Sequence, residues 1–144
     1  MIWNSLDKYR DAGLLLLRLG FGLFIAFGHG WGKIAGGPER WEQLGGTMEL
    51  FGIAFLPTFW GFLSTVAEFF GGLLVAGGAL FRPTLVLLVI NMTVAALMHI
   101  ITGQGSPEMA LLFGIAFLSL FLTGAGSYSV DARIGGRKRV QQTA

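Results

Sequence analysis

Cysteine is absent from the 144 residues. That excludes disulfides, thiolate metal sites, iron–sulfur clusters and thiol redox chemistry carried by the chain itself. Charge is scarce too. Asp, Glu, Lys and Arg together make up 12% of the residues, about half the ~25% of a soluble domain. Hydrophobic residues reach 53% and the mean hydropathy is +0.68. A water-soluble fold of this composition would have to bury nearly everything, and a chain of this length does not enclose enough volume. Both a disordered chain and an ordinary water-soluble enzyme are therefore argued against, and the length sets one domain over residues 1–144. Glycine, by contrast, is abundant. Its 23 residues stand well above the usual ~7% and lie inside apolar runs, as in packed membrane helices.

A helix needs ~20 mostly apolar residues to span the hydrocarbon core. Four stretches qualify: about 12–32, 56–80, 83–101 with Pro83 in the first turn, and the shorter 108–123, which ends at Gly124-Ala125-Gly126. A fifth apolar stretch, 43–55, is too short to span and is followed by Pro57. It reads as an interfacial or re-entrant helix between helices 1 and 2. The fold class expected is therefore all-α: a polytopic membrane protein built as a four-transmembrane-helix bundle. The heptapeptide Leu50–Leu56 recurs at Leu112–Leu118, which reads as coincidence in so restricted an alphabet.

Short loops orient such a chain by their Lys and Arg content. Lys8, Arg10, Arg82, Arg133, Arg137, Lys138 and Arg139 fall on one side, and Lys33 and Arg40 on the other. The expectation is a multi-pass protein of the bacterial cytoplasmic (inner) membrane with both termini cytoplasmic and a basic tail over 127–144. Such a tail reads as an orientation signal and a contact for anionic lipid, not as a nucleic-acid site. The first span has the basic flank and apolar core of a signal peptide, but three spans follow it and it carries Arg18 and His29, so it reads as retained.

Ionisable side chains inside lipid are expensive and face the bundle interior or a cavity. Here they are few: Arg18, His29, Lys33, Glu68, Asn91 (polar), His99 and Glu108. In a continuous α-helix Arg18 and His29 share one face, about 16 Å apart along the axis. The cheapest arrangement pairs Arg18 with Glu68, either as a structural ion pair or as a substrate or proton site. The assumed depths bring His29, Lys33, His99 and Glu108 to the outer level, with Glu68 and Asn91 below. A pocket between spans one, two and three follows, with His29, Glu68 and His99 as its catalytic candidates. Arg18, Lys33, Asn91 and Glu108 are the substrate-binding candidates. Trp31, Trp41, Phe59, Trp60 and Phe69 suit either the walls of that cleft or an interfacial belt. Gly28, Gly32 and Gly36, then Gly22, Ala26 and Gly30, then Gly72 and Ala76, form small-residue faces for close helix approach.

Taken in order, Arg18-Leu-Gly, His29-Gly-x-x-Lys33, Glu68-Phe-Phe-Gly-Gly-Leu-Leu with its Gly-Gly turn, Arg82, Asn91-Met92, His99, Glu108 and Gly124-x-Gly126-x-x-Ser129-x-Asp131 resemble the DoxX family of small bacterial four-helix membrane proteins. The resemblance runs from about Leu14 to Asp131, and residues 43–57 are similar to the family's region before its second span. It implies a link, through similarity to DoxD, to thiosulfate:quinone oxidoreductases, and to sulfur and oxidative-stress metabolism in company with soluble partners. The polar positions it carries over are Arg18, His29, Lys33, Glu68 and His99. Without cysteine, any sulfur chemistry would need a partner's thiols or a bound substrate.

Three functions compete. One is a quinone-interacting or accessory subunit of a membrane oxidoreductase, with His and Glu handling protons and quinone as the cofactor. The second is a non-enzymatic scaffold or small-molecule binding or transport bundle. The third is a haem protein with His29 and His99 as axial ligands; no other metal site is read from the sequence. The partners envisaged are the lipid bilayer, a soluble or membrane oxidoreductase and a second copy of the chain, with no nucleic acid.

Overall fold

A computed structural model describes residues 3–142, with side chains described for 6–136. The side chains of Arg137, Lys138 and Arg139, which enter the charge bias above, lie outside the described residues. Every regular element among the described residues is helical. A 3-10 turn, Trp3–Tyr9, leads into α1 (Arg10–Leu23), a π-helical segment Phe24–Gly30 and α2 (Trp31–Ala35). Then come α3 (Gly37–Gly46), a 3-10 turn Thr47–Phe51, α4 (Pro57–Gly77), α5 (Phe81–Thr102), α6 (Glu108–Thr123) and α7 (Val130–Gln142).

Among the described residues three helices are long and apolar enough to cross a membrane: the continuous rod Leu6–Ala35, α4 and α5. At 1.5 Å per residue α4 and α5 measure about 31 and 33 Å, close to the ~30 Å hydrocarbon thickness. The 16 residues of α6 give only about 24 Å. The third span starts two residues earlier than expected, and the expected basic tail is helical over Val130–Gln142. The two copies of the heptapeptide fold differently. Leu50–Leu56 ends a 3-10 turn and continues through a left-handed Gly52 into a loop, whereas Leu112–Leu118 lies inside α6.

The core gathers Leu14, Ile25, Val75, Leu85, Leu88, Phe113 and Phe117 from α1, the π segment and α4–α6. Large apolar side chains also cover the outside: Leu16 and Leu122 are each 72% exposed and Ile115 66%. Contiguous apolar exterior on this scale suits lipid rather than water.

The first rod and α4 meet along small residues. A Cβ on Gly22 would sit 2.6 Å from the Gly72 carbonyl oxygen, and one on Gly30 2.6 Å from the Phe69 nitrogen. The stripe Gly22, Ala26, Gly30 is thus a packing face, as is Gly72 with Ala76. The stripe Gly28, Gly32, Gly36 is not. A Cβ at Gly32 would meet nothing within 4 Å, and Gly28 and Gly36 approach only their own helical neighbourhood. Composition alone does not distinguish a lipid-facing glycine from a packed one. α3 lies on the first turns of α4, backbone against backbone: a Cβ on Gly45 would overlap the Pro57 carbonyl, and one on Gly61 the Trp41 carbonyl.

The end carrying both termini is closed by the segment after α6. Asp131 accepts from the backbone N–H groups of Leu80 and Phe81 at 3.0 and 2.9 Å, capping α5 where Leu80 has a left-handed φ of 45°. The Asp131 N–H in turn donates to the Gly78 carbonyl at 3.0 Å, and Ser127 donates to Asp11. Asp131→Ala is expected to cost about 0.5–2 kcal/mol, the usual range for a lost N-cap, with Asp131→Asn costing less. Thermal unfolding in detergent measures both.

Candidate functional site

The π segment sets the register of the site. Its i→i+5 bonding adds a residue to the turn, so the phase of an uninterrupted α-helix does not carry across Phe24–Gly30. Gly30 lies against Phe69, and one turn further on Lys33 faces Glu68. The Lys33 ammonium donates to Glu68 Oε1 at 2.6 Å, and the Asn91 amide donates to the same oxygen at 2.8 Å. Three elements therefore converge on one carboxylate, with the Glu68 side chain 4% and the Lys33 side chain 18% exposed. Glu68 Oε2 is buried and has no hydrogen-bond partner among the described residues.

The expected Arg18–Glu68 pair does not form. Arg18 is fully buried beside Gly78, where a Cβ would overlap its Nη1. Ten residues of α4 separate Gly78 from Glu68, about 15 Å. Arg18 Nη2 donates instead to the Tyr128 carbonyl at 3.2 Å; its Nε and Nη1 have no partner among the described residues. Arg18 thus lies at the end of the bundle where α4 finishes and α5 begins, too far from the level of Glu68 to pair with it. With that anchor moved, Lys33 falls level with the middle of α4 and not at its outer end.

His29 is half-buried, its ring edge-on to Phe113 at 5.7 Å. On α5, His99 lies eight residues beyond Asn91, about 12 Å along the axis. Its Nδ1 is 2.6 Å from the Gln104 carbonyl oxygen. A carbonyl only accepts, so Nδ1 carries the hydrogen and the neutral ring keeps its lone pair on Nε2. Glu108 is exposed.

A cavity of about 540 Å³ joins these groups. Lys33, Glu68, Asn91, His29 and His99 reach its wall, while Arg18 and Glu108 do not. Its apolar walls include Ile25, Leu63, Leu74, Leu87, Ile90 and Phe113, and it follows α5 from His99 down to Thr84, about 22 Å. Leu87 and Ile90 are 52% and 56% exposed, so the groove opens on the lipid-facing side. Arg40, Leu44 and Met48 also line it. The sequence reading confined the pocket to three spans and missed this contribution from α3 and the turn after it. Of the five aromatic residues considered for the cleft, Trp60 lines it. Trp41 is turned to α2, its indole N–H donating to the Lys33 carbonyl at 2.9 Å, and Trp31 stacks on Phe69.

A second cavity, about 480 Å³, lies at the opposite end between Leu80–Pro83 and Gly124–Ala132. Its polar groups are engaged: Asp131 caps α5 and Arg82 lies over the Phe121 ring. Among the described residues no group of three or more His, Asp or Glu is placed to hold a metal ion.

The DoxX family model matches residues 13–101. That stretch contains Arg18, His29, Lys33, Glu68, Asn91 and His99; Glu108 and Asp131 lie beyond it. No curated protein and no solved structure matches the chain.

Proposed function

As the chain belongs to the DoxX family, we propose that it is a quinone-interacting, accessory subunit of a membrane oxidoreductase linked to sulfur or oxidative-stress metabolism. One observation carries this reading: an elongated apolar groove, open toward lipid, with the buried Lys33–Glu68–Asn91 cluster on its wall midway along α5. A quinone has the matching shape. Its isoprenoid tail suits the apolar groove along α5, and its ring oxygens need hydrogen-bonding groups such as those of the cluster on the groove wall. Lys33 retains N–H groups for a carbonyl oxygen, and Glu68 with His29 and His99 provides proton-exchanging groups around the ring. With no cysteine, thiol or sulfur chemistry belongs to a partner protein. The reading takes α6 as a fourth, short span and the stretch 43–55, made of the end of α3 and the turn and loop after it, as interfacial or re-entrant, in the bacterial inner membrane with both termini cytoplasmic. The bias of basic residues supports that orientation.

The test is binding of a short-tailed quinone to the purified protein in nanodiscs, followed by quenching of tryptophan fluorescence. Saturable binding is expected, weakened at least tenfold by Ile90→Trp, which fills the groove from its lipid-facing side without replacing a member of the polar cluster. No saturable binding removes the quinone reading and leaves the scaffold reading.

A further inference from the structure

The polar wall of the groove is uneven in a way that selects among its ligands. Lys33 and Asn91 both donate to Glu68 Oε1. Oε2 of the same carboxylate is buried and accepts from nothing among the described residues, and Glu68 lies on the cavity wall. An ionised carboxylate is an acceptor only, and Glu68 is paired with the Lys33 ammonium at 2.6 Å. A buried acceptor without a donor carries its full desolvation penalty. The missing group is therefore a donor, and the cavity is where it would come from.

We infer that the site is built for the hydroxyl-bearing, reduced form of its ligand: a hydroquinone whose phenolic O–H donates to Glu68 Oε2. The inference rests on the quinone reading and adds the redox state that is held. A quinone offers only carbonyl acceptors at this position, which would set two lone-pair-bearing oxygens against each other. A site that hydrogen-bonds a substrate hydroxyl rejects the analogue lacking it far more strongly than an apolar pocket rejects a missing methylene. His99 adds to the same bias. With Nδ1 engaged by Gln104, its Nε2 is also an acceptor in the neutral ring.

The experiment compares three probes on the wild-type protein: a short-tailed quinone, its hydroquinone held reduced by excess thiol, and the dimethyl ether of that hydroquinone. The chain has no cysteine, so the thiol acts on the ligand alone. The hydroquinone is expected to bind at least tenfold more tightly than either of the others. Glu68→Gln, whose amide donates as well as accepts, should abolish that preference. Where this variant does not fold, difference infrared spectra of the wild type serve instead. Hydroquinone should shift the carboxylate stretching band, and the dimethyl ether should not. Equal binding of quinone and hydroquinone, or a silent carboxylate band, overturns the inference and leaves the quinone reading standing. Failure of all three probes to bind removes the quinone reading and the inference with it.

Discussion

Lys33→Met is expected to destabilise the protein by about 3–5 kcal/mol, the cost of stripping one partner from a buried ion pair. The substitution leaves the Glu68 carboxylate 4% exposed with one donor, Asn91, on Oε1 and none on Oε2 among the described residues. Glu68→Leu strands the ammonium less severely, since Lys33 is 18% exposed and its long stem can carry the charge toward water. The double variant Lys33→Met with Glu68→Leu should recover most of the loss, because removing both charges also removes both desolvation penalties. Unfolding in detergent over the four members of the cycle gives the coupling. Additive losses would mean that the pair contributes nothing as a pair. The same cycle on Arg18 and Glu68 should show no coupling.

Gly61→Ala should cost about 3 kcal/mol or more, at or beyond the upper end for overpacking. The overlap is with main chain, the Trp41 carbonyl, and not with a side chain free to swing aside. Relief requires α3 to lift from α4, and α3 contributes Arg40 and Leu44 to the groove. Ligand binding should therefore fall together with stability. Gly32→Ala is the matched control. Nothing lies within 4 Å of a Cβ there, and helix propensity favours alanine by about 1 kcal/mol. A Gly61→Ala variant as stable as Gly32→Ala would show that the backbone contact is not tight.

The apolar helices were legible because lipid demands uninterrupted runs, and the limits of α4, α5 and α6 fall within a few residues of those read from composition. The membership of the polar cluster was also legible, since few ionisable residues interrupt the apolar spans. Its pairing was not. Pairing Arg18 with Glu68 required a residue of the inner half to reach one near mid-span, whereas Arg18 bonds to the carbonyl of Tyr128, a residue 110 positions away. Phase along the first rod assumed 3.6 residues per turn throughout, and the seven residues Phe24–Gly30 do not obey it. The cap supplied by Asp131 is not legible in the sequence, because a carboxylate that follows a glycine-rich turn does not disclose which distant N–H groups it meets. Glu108 looked equivalent to His99 by depth, yet depth says nothing about the side of a helix on which a residue falls.

The burial of Arg18 has a consequence for the timing of assembly. The carbonyl that receives its guanidinium belongs to Tyr128, 110 residues downstream, and Ser129 packs against Gly78 beside it. At a synthesis rate of about 5–20 residues per second, Arg18 emerges from the ribosome about 6–22 s before its partner exists. Until then the charge has to be held by water or lipid headgroups at the membrane surface. A segment made well after α1 is thus the one that lets α1 settle, and a chain released before Tyr128 would carry an open, hydrated end.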